Sequence, residues 1–209
     1  MTMTGMTGAR TTQATWGSAA SAEARRAMID SQLRTSGVNE PWVLAAMARV
    51  PRELFVPEAA KAAAYIDRTV PLGGGRFLAP PLVHGRMLAE AVPQASDRAL
   101  LVGDGEGYLA ALLRPLVGSL DSIAPQAAAP AGDKGPYSLV LIDGAVEQVP
   151  AWLTARLADD GRLVTGVVER GITRLAVGRK AGGAIALMPL AEMGIPVLAE
   201  FAAPKRWSF

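Results

Sequence analysis

The sequence predicts an α/β fold, a mostly parallel sheet with helices on both faces, preceded by a helical extension. Three observations predict it. From about residue 98 onward, short apolar runs alternate with helix-forming stretches, as strands and crossovers do in a parallel sheet. The first such run, "ALLV", meets glycines at alternate positions, Gly103, Gly105 and Gly107, just before a helical stretch begins. Residues 22–92 ahead of it carry helical apolar spacing and no strand pattern. The expected organisation is a flexible tail over residues 1–21, a helical region with a substrate-side loop over 22–92, and the sheet with a carboxyl-terminal hairpin over 93–209.

The elements follow in chain order. A helix is expected from Ala22 to Ser36, with Ile29 and Leu33 on one face and Gly37 as its stop. "NEPW" announces a second, with Asn39 able to cap it and Pro41 in its first turn. Its apolar face carries Val43, Leu44, Met47 and Val50, and Pro51 ends it. A third short helical region surrounds Pro57. "VPLGGGRFLAPP" reads as a loop, because consecutive glycines and prolines oppose regular structure. A helix from Leu82 to Ala91 precedes the first strand. "SLDSI", "SLVLID" and "RLVTGVV" are further strands, with a helix near Pro150 to Leu157. "RLAVGRK" and "AIALMPL" read as a hairpin turning at Gly182 and Gly183.

Composition narrows the function. Half of the 209 residues are apolar, enough for a sizeable core in one domain. Lys and Arg total 21 against 19 acids, with no basic block and few aromatics, which argues against nucleic acid. The absence of cysteine excludes disulfides, thiolate nucleophiles and cysteine metal sites. No residue cluster has metal-ligand spacing. No apolar run approaches the ~20 residues of a membrane span, and the first 21 residues lack a signal-peptide core. A soluble, cytoplasmic protein is expected.

The glycine turn is the main chemical signal. Ligands of open parallel sheets sit beyond the carboxyl ends of the strands. Glycine there lets backbone approach a ligand, and a following helix offers free N–H groups. The spacing is GxGxG, with Tyr108 where a dinucleotide fingerprint has its third glycine. That favours S-adenosylmethionine over a pyrophosphate cofactor; a purely structural turn is the alternative.

The flanks carry a resemblance. "MIDSQLRTSGVNEPWVLAAMARVPRELFVPEAAKAAAYIDRTVPLGGG" resembles the amino-terminal part of the protein-L-isoaspartate O-methyltransferases. Matches include Gln32, Leu33, Val50 to Glu53, Phe55 to Pro57, Tyr65, Asp67, Pro71, Gly73 and Gly75. "VGDGEGY" is similar to that family's cofactor loop, and "PYSLVLIDGAVEQVPAWLTARLADDGRLV" to its fourth strand, following helix and fifth strand. The resemblance implies a class I methyltransferase-like (Rossmann-like) fold and S-adenosylmethionine-dependent methylation of isoaspartyl carboxylates in damaged proteins. It implies Gly103, Gly105, Gly107 and Tyr108 for the cofactor, and the Arg76–Ala79 loop beside the reacting carboxylate. Asp143 ends a strand in the ligand-facing position and is the further cofactor candidate, a turn-forming Asp-Gly being the alternative.

Four departures bear on activity. Ala79 stands at the family's serine position and carries no hydroxyl, while Arg76, in a glutamine's place, can attract a carboxylate or simply face solvent. Ala124 stands where the family grips the cofactor ribose with an acid, and Asp121, three residues earlier, points elsewhere on a regular strand. Asp104 and Glu106 put two carboxylates in the cofactor loop. The "APQAAAPAGDKGP" stretch is too short to hold the helix and strand that build the family's adenine pocket, so the fold reads as truncated there.

Other residues are weaker candidates. The lone histidine, His84, is a conceivable base but reads as a half-buried or exposed structural residue. Asp67 and Arg68 tie down a loop, and Trp42 and Trp152 anchor the core. "PKRWSF" suggests no site. Three readings stay open: an isoaspartyl methyltransferase with weakened or lost turnover; a non-catalytic relative, a possible pseudoenzyme, binding peptides or proteins; and a nicotinamide enzyme, which both the GxGxG spacing and the missing ribose acid oppose.

Overall fold

The protein is seen here in a computed structural model that describes residues 19–126 and 135–203. Helix α1 (Ala19–Met28) tightens and widens through irregular turns until Gly37, whose φ of 85° places it in the left-handed region that stops helices. The helix thus begins three residues inside the expected tail; residues 1–18 lie outside the description. Ile29 and Leu33 are buried, as their spacing predicts. Helix α2 (Pro41–Arg49) is capped at Glu40 rather than Asn39, because Pro41 already occupies the first helical position. Pro57 splits the third helical region into two 3-10 turns, Arg52–Phe55 and Glu58–Ala63.

The glycine-rich loop is a hairpin instead. Strands β1 (Val70–Gly73) and β2 (Arg76–Leu78) pair antiparallel. Gly73, Gly74 and Gly75 turn the chain with φ values of 90°, 60° and 76°. Glycines that oppose a long strand are what a tight turn requires. Helix α3 (Pro81–Ala91) follows. Asp67 ties this region down by accepting the Leu82 N–H at 3.1 Å.

The six-stranded sheet runs β4-β3-β5-β6-β7-β8. Strands β3 (Arg98–Val102), β4 (Ser119–Ile123), β5 (Tyr137–Val146) and β6 (Leu157–Glu169) are parallel neighbours. Strands β7 (Ile172–Ala181) and β8 (Ala184–Glu192) add the expected hairpin, with Gly182 and Gly183 at positive φ. Helix α4 (Tyr108–Leu113) follows β3, and α5 (Ala151–Arg156) follows β5. Alternate strand residues feed two cores. Ala99, Leu101, Leu139 and Leu141 pack with α1–α4. Leu100, Val102, Val140 and Ile142 pack with Leu153 of α5 and Phe201. Trp42 and Trp152 are partly buried against these cores. No strand lies beyond β4 among the described residues, in line with the expected truncation; most of the short stretch that follows it falls outside the description.

One buried knot fixes the sheet against α3. Asp97 is 4% exposed, pairs with Arg162 at 2.5 Å and accepts hydrogen bonds from Gln94 N–H and Ser138 Oγ, both at 2.7 Å. Arg162 also donates from Nε to the Ala91 carbonyl at 3.0 Å, satisfying the end of α3.

All three tyrosines are held protonated. Burial pushes Tyr108 up to about 12. Burial and a hydrogen bond to Glu53 raise Tyr65 above the usual phenol range. Burial and a hydrogen bond to Asp121 raise Tyr137. A raised phenol pKa contributes stability that is intact below pH ~10 and is lost as pH climbs through the folded value. Burial lowers Arg52 from the usual guanidinium range to about 10, which acts in the opposite direction. With three groups against one, stability falls above pH ~10. Ultraviolet titration at pH 11 checks this: the folded chain keeps its phenols protonated, and the denatured chain ionises them. Two or more phenols titrating near pH 10 in the folded chain would contradict it.

Candidate active site

The chain moves from β3 to the edge strand β4, then returns to the other side of β3 as β5. At such a switch the loops leaving adjacent strands diverge and open a crevice. A cavity of about 610 Å³ lies there. Gly103, Asp104, Glu106 and Gly107 line one wall; Phe55 and the β1–β2 hairpin, including Arg76, line another; Pro125, Gln126 and Pro196–Glu200 close it. The volume lies within the ~300–1,000 Å³ of small-molecule sites. A second hollow of about 560 Å³ lies between the end of α3 and β6–β8. Its polar groups are already committed, Arg162 to Asp97, Glu90 to Arg86 and Arg179 to the Asp160 carbonyl.

Asp143 reaches the cavity from β5 and is held from behind. Its Oδ1 lies 3.0 Å from His84 Nε2, and Arg52 Nη1 lies 3.2 Å from His84 Nδ1. A guanidinium only donates, so Nδ1 accepts and the histidine proton sits on Nε2, donated to Asp143. Arg52 itself is fully buried and donates to the Ala64 and Ala79 carbonyls. His84 is therefore neither half-buried nor exposed: it is 0% exposed, and both ring nitrogens are occupied. It positions Asp143 and has no free nitrogen with which to act as a base. Helix α3 places His84 beneath the β5 end, and Pro51 directs Arg52 inward at the start of its 3-10 turn.

The three glycines differ in role. Gly103 and Gly107 line the cavity; Gly105 does not. A Cβ on Gly105 would overlap Ser122 of β4, so this glycine lets the loop lie against the edge strand. A Cβ on Gly103 would lie 3.0 Å from Asp143 Cβ. Part of the signal is thus packing of the loop on its own sheet. Helix α4 is only six residues long, too short to make its amino terminus an anion site.

The remaining expected residues separate. Arg76 faces the cavity, 60% exposed, 3.6 Å from Asp104. Ala79 is 2% exposed and absent from the cavity lining; its carbonyl serves Arg52. Tyr108 lines the cavity, packs edge-on to Phe55 at 5.5 Å and lies under Arg52 at 4.9 Å. Its buried hydroxyl has no hydrogen-bond partner among the described residues. Asp121 is turned away, bonded to Tyr137 and 3.6 Å from Arg98.

The carboxyl-terminal segment, which sequence reasoning left without a role, is a cavity wall. Ala145 N–H donates to Pro196 O at 2.8 Å, and Leu198 N–H to Ala145 O at 2.9 Å. Phe201 is 6% exposed and plugs the second core. Residues 204–209, which are the whole of "PKRWSF", lie outside the description. Among the described residues no group of three or more His, Asp or Glu could hold a metal, and no helix is long and apolar enough to cross a membrane.

Comparison with known proteins agrees with this architecture. The family model described as Protein-L-isoaspartate(D-aspartate) O-methyltransferase (PCMT) matches residues 23–124. A protein-L-isoaspartate O-methyltransferase of Methanoregula boonei is 34% identical in an alignment that covers 76% of this chain and 84% of that protein. One of Methanoculleus marisnigri is 30% identical, over 85% of this chain and 92% of that protein. A Plasmodium falciparum structure carrying the PCMT name, in complex with S-adenosyl-L-homocysteine, superposes with a TM-score of 0.70 at 18% identity, covering 84% of this chain and 98% of that one. At that identity the likeness speaks for the fold.

Proposed function

The chain belongs to the protein-L-isoaspartate O-methyltransferase family, and on that premise we propose that it binds S-adenosylmethionine in the 610 Å³ cavity and methylates isoaspartyl side carboxylates in proteins. The observation that carries this reading is the cavity itself, walled on one side by the bare backbone of Gly103 and Gly107 and on the other by a carboxylate fixed through two buried side chains.

The residues fit that cofactor. Gly103 and Gly107 line the cavity with backbone, and a Cβ at either would crowd Asp143 or Asp104, two of the acids that face it. Asp104, Glu106, Asp143 and Glu200 outnumber Arg76 among the charged lining groups, which favours a ligand carrying sulfonium and ammonium charge. When bound, the cofactor supplies an activated methyl group, so the protein need not generate a nucleophile.

What this chain contributes is alignment. Among the described residues Arg76, on the hairpin at the cavity, is the one lining cation able to hold an isoaspartyl carboxylate, in exchange for its loose pairing with Asp104. Arg52 and His84 keep Asp143 aimed without rotation, and Tyr108 and Phe55 exclude water beside it. No proton transfer is required of His84.

A second reading, a non-catalytic relative that retains the groove for peptides, is favoured by Ala79, whose position supplies no hydroxyl to the reacting carboxylate. Two measurements separate the readings. Calorimetry with S-adenosylhomocysteine is expected to give micromolar binding, and an isoaspartyl peptide with S-adenosylmethionine is expected to release methanol. Binding without methanol selects the scaffold; no binding at millimolar ligand removes the cofactor reading. Arg76→Ala is expected to raise the peptide KM about tenfold or more while cofactor affinity changes little.

A further inference from the structure

The position after β4 offers the cavity no carboxylate: Ala124 carries a methyl group, and Asp121 is turned toward Tyr137 and Arg98. Yet the same end of the cavity is not without an acid. Glu200, 74 residues beyond Gln126, lines it together with that residue. Gln126 Nε2 donates to Glu200 Oε1 at 2.5 Å, joining the turn after β4 to the carboxyl-terminal segment.

Glu200 is held in place on both sides. It sits in the 3-10 turn Ala199–Phe201, next to the buried Phe201. The Phe201 carbonyl accepts the N–H groups of Glu147 and Gln148 at 3.2 Å, and Ala203 N–H donates to Glu147 Oε2 at 2.7 Å. Val197 bridges Ala145 in parallel, so the segment runs as a short extra rung on the end of β5. The backbone that carries Glu200 is thus anchored, and the Gln126 amide orients its carboxylate through one oxygen.

Pro125 and Pro196–Leu198, which also line the cavity, are chain neighbours of Gln126 and Glu200 and bring apolar surface to that pair. An apolar slot edged by one carboxylate suits a nucleoside: the base lies on the apolar wall and a vicinal diol matches the two carboxylate oxygens. Resting on the cofactor reading above, we propose that Glu200, oriented by Gln126, is the sugar-binding carboxylate of this chain, and that the Pro196–Leu198 segment serves as the wall for the base. The device lost after β4 is replaced from the far end of the sequence.

The test is calorimetry on the full chain with S-adenosylhomocysteine and with its 2′-deoxy counterpart. The unsubstituted chain is expected to bind the deoxy ligand about tenfold to a hundredfold more weakly, the worth of a hydrogen bond to a charged group. Glu200→Ala is expected to lose that same factor for the full ligand and bring the two affinities together. Glu200 is exposed, so the variant keeps the parent melting temperature, and Glu192→Ala, an exposed acid outside the cavity lining, serves as control. If Glu200→Ala binds S-adenosylhomocysteine as the parent does, or still discriminates the two ligands, the assignment of Glu200 is overturned. If the parent binds neither ligand, the cofactor reading itself falls.

Discussion

Replacing Arg52 with methionine lowers the unfolding free energy by about 3–5 kcal/mol, the largest stability loss expected of any single change near the site. Methionine fills much of the volume, so the loss does not come from a cavity. It comes from the Ala64 and Ala79 carbonyls and His84 Nδ1, which lose their donor in a region with no water access. Each abandoned buried acceptor costs about 1–3 kcal/mol. For a chain of this size the midpoint of thermal unfolding falls by roughly 10 °C. Arg52→Lys keeps the charge but not the fork, and one ammonium cannot reach three acceptors on separate elements, so it recovers only part of the loss. A variant melting within about 2 °C of the parent would remove Arg52 from its structural role. The same substitution frees the histidine ring, so S-adenosylhomocysteine affinity at a temperature where the variant is folded tests whether the aim of Asp143 matters.

How much of this was legible in the sequence depends on distance along the chain. The strands of the parallel sheet were, because Ala99–Val102 and Leu139–Ile142 announce themselves by local apolarity. The β7–β8 hairpin was, because Gly182-Gly183 is a turn signal between two alternating runs. The β1–β2 hairpin was not: its strands are three and four residues long, one holds a proline, and the glycines that argue against a strand form its turn. The glycine loop and Asp143 could be named because each sits at a strand end. Arg52 could be matched to the family but not given a task, since an arginine between Pro51 and Glu53 looks like any surface residue. Its partner His84 lies 32 residues away, and only packing brings the two together. Glu200 is the extreme case. Nothing in its surroundings marks it, and its meaning comes entirely from Gln126 and the cavity edge.

Gly144→Val is the substitution expected to damage the cofactor site most while leaving the catalytic-side residues untouched. Gly144 lies in β5 between Asp143 and Ala145, and a Cβ built there sits 2.5 Å from Leu198 Cγ, with the two Leu198 methyls at 2.8 and 2.9 Å. All three atoms belong to the segment that closes the cavity. Backbone hydrogen bonds between Ala145 and both Pro196 and Leu198 hold that segment too tightly to yield by a small shift. The added side chain therefore pushes Leu198 outward and strips Pro196–Glu200 from the end of β5, at an overpacking cost of about 1–3 kcal/mol. Losing the apolar wall and the Glu200 carboxylate together is expected to weaken S-adenosylhomocysteine binding by roughly a hundredfold. Gly194→Val makes the matching control, because no atom lies within 4 Å of the new Cβ. Leu198→Ala removes the colliding atoms along with part of the apolar wall, so the double variant is expected to recover affinity only up to that of Leu198→Ala alone, still well above Gly144→Val. If Gly144→Val binds the ligand as the parent does, the carboxyl-terminal segment is not the cavity wall. If it binds weakly and the double variant does no better, the loss comes from β5 itself and not from displacement of the segment.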